Sequence, residues 1–216
     1  MHYRLIPNSF HFENLSLFNT SYRGLHMKNN TYENDVRILG GKFKGKLLPV
    51  LDVEGLRPTP SRVRETIFSW IKDSLGNAKV LDLFAGSGAL GLEAYSRGAK
   101  DVTLVELDKD NSSNLKVIAK SMSYDEIHVI NDDALHFLDN VSSTFNIVFI
   151  DPPYKLDSYE KVLEKLLDKN LIDDDSLIYV EMRNGSNKIV PGYEIIREEN
   201  AGQSKYSLWT KSKLLF

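Results

Sequence analysis

The sequence predicts an α/β fold with a mostly parallel sheet and helices on both of its faces, and three observations carry that reading. Apolar runs of strand length alternate with helical periods across residues 79–170, the pattern of consecutive β–α–β units. A turn rich in glycine, Gly86-Ser87-Gly88-Ala89-Leu90-Gly91, follows the first of these strands and opens a helix. The last two segments, 193–199 and 205–211, read as a pair of antiparallel strands closing the sheet. Together these make the architecture Rossmann-like, with any ligand beyond the carboxyl ends of the strands.

Residues 1–34 have no period and are rich in Asn, Ser, Phe and Tyr, so they are expected to form a flexible extension. Arg4, Arg23 and Lys28 with one early acid, Glu13, give it a trace of transit-peptide character, and Met27 is an alternative start. Residues 35–59 read as a basic β-hairpin around a Gly-Lys turn plus a connecting loop, and 60–216 as the main domain. Two prolines forbid helix in 56–61, and Ser61 is placed to cap the helix that follows. In that helix Val63, Ile67, Trp70, Ile71 and Leu75 share a face, and Gly76-Asn77 ends it. Strands are then expected at 79–84, 101–107, 126–131, 145–151 and 176–182. The intervening helices span 88–98, 108–122, 133–140 and 158–170.

Composition narrows the function. The chain has 216 residues, of which 42% are hydrophobic and 26% charged. No apolar run reaches the roughly 18 residues that span a bilayer. With no cysteine there is no disulfide, zinc–thiolate site or iron–sulfur cluster, which fits a reducing, cytoplasmic setting. His2, His11, His26, His128 and His136 lack paired spacing with acids, so no metal is expected. A net charge of −3 means that any nucleic-acid surface must be local. Residues 36–64 supply one. Arg37, Lys42, Lys44, Lys46, Arg57, Arg62 and Arg64 stand against Asp52 and Glu54, with Phe43 among them. They are the candidate RNA contacts, a solvated hairpin being the plainer alternative.

Four motifs sit at predicted strand ends. In Asp82-Leu83-Phe84-Ala85-Gly86-Ser87-Gly88 the glycines let backbone N–H groups approach a ligand. A carboxylate at Asp82 would repel a pyrophosphate but suits a cationic amino-acid end, which favours S-adenosylmethionine over a dinucleotide. Glu106, 24 residues after Asp82, can accept both ribose hydroxyls, with Leu107 beside it. Asp108 is the runner-up and also reads as a helix cap. Asp133 can accept from the adenine amino group and Ala134 N–H can serve a ring nitrogen, although Asp133 suits a cap equally well. Asp151-Pro152-Pro153-Tyr154 is the most informative tetrapeptide. Its prolines remove two donors, so Asp151 and the Pro152 carbonyl can accept both hydrogens of an exocyclic base amine and aim its lone pair at a methyl carbon. Tyr154 can stack on the base. A rigid turn with a surface tyrosine is the bland alternative.

The segments R-I-L-G-G-K-F-K-G-K-L-L-P-V, G-L-R-P-T-P-S-R-V-R-E-T-I-F-S-W, D-L-F-A-G-S-G-A-L-G-L-E-A, I-V-F-I-D-P-P-Y, S-L-I-Y-V-E and A-G-Q together resemble the bacterial RsmD family from Val36 onward. The R-P-T-x-x-R-V-R-E-T block is the most specific of them. The resemblance implies a class I S-adenosylmethionine-dependent methyltransferase with a seven-stranded sheet. It implies methylation of N2 of guanine 966 in the 16S rRNA of the small ribosomal subunit. It also implies that the block from Arg57 to Thr66 folds over the cofactor pocket. A monomer is the expected state, which no residue pattern in the chain sets. Rival readings are a DNA adenine-N6 or cytosine-N4 methyltransferase, which would need a target-recognition domain that is missing here, and a protein glutamine methyltransferase. A rival of another class is a non-catalytic RNA-binding or ribosome assembly factor, which would not need Asp151.

Overall fold

A computed structural model describes residues 35–51, 59–123, 125–153, 159–185 and 190–213. Two short strands, β1 (Val36–Arg37) and β2 (Leu47–Leu48), pair antiparallel. Helix α1 (Ser61–Trp70) follows, and a 3-10 turn at Lys72–Ser74 leads into β3 (Lys79–Asp82). Next come α2 (Gly91–Ser96), β4 (Asp101–Glu106), α3 (Lys109–Met122), β5 (Ile127–Asn131), α4 (Ala134–Asn140), β6 (Ile147–Ile150) and α5 (Tyr159–Asp168). The chain ends in β7 (Leu177–Arg183), β8 (Tyr193–Ala201) and β9 (Ser204–Lys211).

The main sheet has seven strands in the order β5-β4-β3-β6-β7-β9-β8. Strands β3 to β7 pair parallel with one another, and β9 pairs antiparallel with both β7 and β8. Strand order runs outward in opposite directions from β3 and β6, so a crevice opens at their carboxyl ends.

Alternation along each strand separates two apolar cores. Val80, Leu104, Phe149 and Tyr179 face α1, α2 and α3, whereas Leu81, Val105, Ile150 and Val180 face α4 and α5. The hairpin is part of the first core, since Val36, Ile38, Leu48 and Val50 are buried there. Glycine makes its docking possible. At Gly41 (φ +76°) an added Cβ would lie 1.8 Å from the Ser96 carbonyl oxygen, and Lys42 N–H donates to that same oxygen at 2.7 Å.

Three local expectations change. Helix α1 ends at Trp70 and gives way to a 3-10 turn at Lys72–Ser74, so Gly76-Asn77 does not end the helix itself. Pro60, not Ser61, holds the N-cap position of α1, and no side chain caps that helix. Helix α2 starts at Gly91 rather than 88, because Gly86 (φ +51°) and Gly88 (φ +75°) keep the preceding stretch in a left-handed turn. No described helix is long and apolar enough to cross a membrane.

Candidate active site

The crevice between β3 and β6 is bordered by the two strongest motifs. Asp82 ends β3 and leads into the glycine turn, and Asp151-Pro152-Pro153 leaves β6. Tyr154 and Arg57 lie outside the described residues.

Asp82 is 1% exposed, and its Oδ2 accepts from Gly91 N–H at 2.9 Å. The carboxylate thus holds the far end of the glycine turn, a partner different from the expected ligand ammonium. Burial pushes its pKa up to about 7, against the stabilising backbone donors. Gly91 packs closely as well: a Cβ there would lie 2.2 Å from Leu104 Cδ2, so the buried Leu104 side chain would have to shift.

Glu106 closes the turn from the neighbouring strand. Its Oε2 accepts from Gly86 N–H and its Oε1 from Asp108 N–H, each at 2.8 Å. Partial burial raises its pKa and those donors oppose the rise. Asp108 caps α3 by accepting from Asn111 N–H at 2.7 Å. No motif in the chain points to Asn111, whose Nδ2 donates to the Gly86 carbonyl at 2.6 Å. Its buried Oδ1 has no hydrogen-bond partner among the described residues. A buried polar atom of this kind beside a glycine cradle fits an absent polar ligand. Phe84 is half-buried, Ser87 is buried, and Leu107 is 66% exposed beside Glu106. Asp133 does cap α4, accepting from Leu135 and His136 N–H at 2.9 and 3.0 Å, and Ala134 is buried behind it.

Asp151 receives a hydrogen bond from Thr59 Oγ1, 3.1 Å to its Oδ2. Burial raises its pKa, and the neighbouring charges of Glu181 and Asp82 raise it further. Thr59, the last residue of the R-P-T motif, is thereby held at the crevice and is only 7% exposed.

The basic cluster divides. Arg37, Lys42, Lys44 and Arg62 are exposed and Lys46 is half-buried. Arg64 must be removed from the candidate RNA contacts, because it is 2% exposed. Its guanidinium donates to the Thr59 and Arg37 carbonyls at 3.2 and 3.1 Å and pairs with Glu93 at 3.4 Å. Fully buried Glu93 also accepts from Leu39 and Gly40 N–H at 2.7 and 2.8 Å and from Arg97 at 2.7 Å. Arg64 therefore ties the hairpin, Thr59 and α2 together. No metal-binding group of acids and histidines occurs among the described residues.

This strand order, with a glycine turn and an Asp-Pro-Pro segment on either side of the switch point, defines a class I S-adenosylmethionine-dependent methyltransferase. A family model described as conserved hypothetical protein 95 matches residues 36–210, and the chain belongs to that family. Ribosomal RNA small subunit methyltransferase D of Escherichia coli (strain K12) is 40% identical over 185 residues, covering 85% of this chain and 93% of that protein. The protein of the same name from Haemophilus influenzae is 39% identical over 182 residues, covering 82% and 94%. The solved structure of the putative methyltransferase yhhF from Escherichia coli superposes with a TM-score of 0.76 at 39% identity, covering 82% of this chain and 98% of that one.

Proposed function

We propose that the chain transfers a methyl group from S-adenosylmethionine to N2 of a guanine in the small-subunit rRNA, at the position expected from the resemblance, guanine 966. The observation that carries this reading is the pairing of Asp82 with its glycine turn and Asp151-Pro152-Pro153 at the ends of the two strands that border the crevice. One holds a cofactor and the other presents an amine to it. The relatives named as small-subunit rRNA methyltransferases supply the acceptor class.

Bound S-adenosylmethionine supplies an electrophilic methyl carbon on a sulfonium. Glu106 would accept from the ribose hydroxyls, Asp133 and Ala134 N–H would read the adenine edge, and Leu107 would cover its face. Phe84, Gly86, Ser87 and Gly88 line the amino-acid end. Asp82 acts from beneath the turn, fixing its shape and lending negative potential to the ammonium. Asp151 and the Pro152 carbonyl accept the N2 hydrogens, so the lone pair is withdrawn from the ring and aimed at the methyl carbon. Transfer to N2 would leave the C–S electron pair on sulfur, and Asp151 would take up the proton shed by N2. Tyr154 stacks on the base. Exposed Arg37, Lys42, Lys44 and Arg62, with Lys46 and Arg57, hold phosphates. The protein works as a monomer in the cytoplasm on a small-subunit particle, whose shape supplies the rest of the recognition.

The test is transfer of a labelled methyl group to small subunits, naked rRNA and duplex DNA offered in parallel. Label is expected on RNA, most of all in the particle. Label confined to DNA would overturn the reading.

A further inference from the structure

The segment S-L-I-Y-V-E carries a carboxylate that the methyl-transfer steps do not use. Glu181 lies on β7 at the carboxyl edge of the sheet, one residue beyond the register pair Ile150–Val180. Asp151 is one residue beyond the same pair on β6. Two residues earlier on each strand, Phe149 and Tyr179 are paired, face the α1 side and meet edge to face at 6.1 Å. Side chains alternate with a period of two, so Asp151 and Glu181 emerge side by side on that same face. Thr59, which precedes α1, reaches Asp151 from there. The Tyr179 hydroxyl donates to Glu181 Oε2 at 3.0 Å and so fixes the carboxylate, whereas Oε1 accepts no hydrogen bond among the described residues. Glu181 is half-buried and its charge raises the pKa of Asp151, which places the two groups within one electrostatic site.

Two adjacent, separately anchored acceptors suit an acceptor base with two adjacent donors. Guanine has N1–H next to its N2 amine. Adenine and cytosine offer a lone pair at the ring nitrogen beside their amines. We infer that Glu181 is a specificity-determining residue that accepts the N1–H of the target guanine while Asp151 accepts from N2. It thereby excludes bases that carry a ring lone pair beside the amine. This rests on the proposed guanine-N2 reading.

The test compares small subunits reconstituted with guanine or with 2,6-diaminopurine at the target position. Both bases carry the 2-amino group, but diaminopurine has a lone pair at N1. The wild-type protein is expected to favour guanine by about 100-fold or more in kcat/KM, as sites built around a buried polar contact reject an analogue that leaves it unpaired. In Glu181→Gln the amide oxygen still accepts from Tyr179 and the amide N–H can meet the N1 lone pair. The preference is expected to shrink at least tenfold, with the rate on diaminopurine rising. Equal wild-type rates on the two bases would overturn the inference without any variant. So would a Glu181→Gln loss equal on both bases, the mark of a merely structural role. Wild-type protein inactive on guanine but active on another base would overturn the guanine-N2 reading itself, and is thereby distinguishable.

Discussion

Asp82 and Asp151 are both carboxylates at strand ends, yet their surroundings give them opposite tasks. Asp151 stands at the crevice with a threonine on one oxygen, and in the proposed mechanism its acceptor capacity serves the amine. Asp151→Ala is expected to lower single-turnover methyl transfer by about 10²-fold or more, the scale for loss of one transition-state hydrogen-bonding group. Binding of S-adenosylhomocysteine by calorimetry should change far less, and Asp151→Asn should keep part of the rate through its amide oxygen. Asp82 instead sits under the glycine turn with a pKa pushed from 3.8 to about 7 by burial. Unfolded, it ionises near pH 4, so between about pH 4 and 7 the native state holds the extra proton and stability falls as pH rises. Asp82→Asn can still accept from Gly91 N–H and cannot ionise. Its melting temperature should therefore gain on the wild type as pH goes from 4 to 8, and a constant difference would contradict the raised pKa. Both carboxylates stand out in the sequence because each adjoins a motif. Arg64 and Asn111 do not, because burial decides their roles and nothing local in the chain marks it. Arg64 lies four residues from Pro60 in a run of cations, and only the packing of Glu93 against it shows that it faces inward.

At the scale of elements, the hairpin is docked on α2 and shares the first core. Glu93 and Ser96 of α2 hold its backbone, Phe43 stacks near Tyr95 at 6.0 Å, and Lys42 lies over the Phe43 ring at 5.2 Å. A basic surface so fixed can present its cations to phosphates in a set geometry. Replacing Lys42, Lys44 and Lys46 with Ala should weaken RNA binding and flatten its log–log salt dependence by up to about 3, near one for each phosphate released from a lysine. An unchanged slope would make the hairpin a solvated surface. The parallel strands were readable because burial on both faces leaves short apolar runs between polar turns. Helix starts were less so. The onset of α2 depends on the left-handed glycines at 86 and 88, and the start of α1 on a proline that needs no side-chain cap. The docking of the hairpin through Gly41 and Glu93 joins parts of the chain far apart in sequence, which no local period encodes.

For the whole molecule, topology does the assembling. Reversal of strand order between β3 and β6 brings residues 69 positions apart, Asp82 and Asp151, to one crevice. Thr59 reaches that crevice, and Arg64 ties it to the hairpin. The glycine turn, the Asp-Pro-Pro segment and the basic hairpin thus belong to one continuous body, in a chain whose overall charge is only −3. The central claim is that this body methylates N2 of guanine in small-subunit rRNA. It is tested most directly by nucleoside mass spectrometry of small-subunit RNA after reaction with the protein and isotope-labelled S-adenosylmethionine. The expected result is labelled N2-methylguanosine from a single position. Label in N6-methyladenosine or N4-methylcytidine, or a folded and cofactor-bound protein that labels no guanosine, would contradict the account.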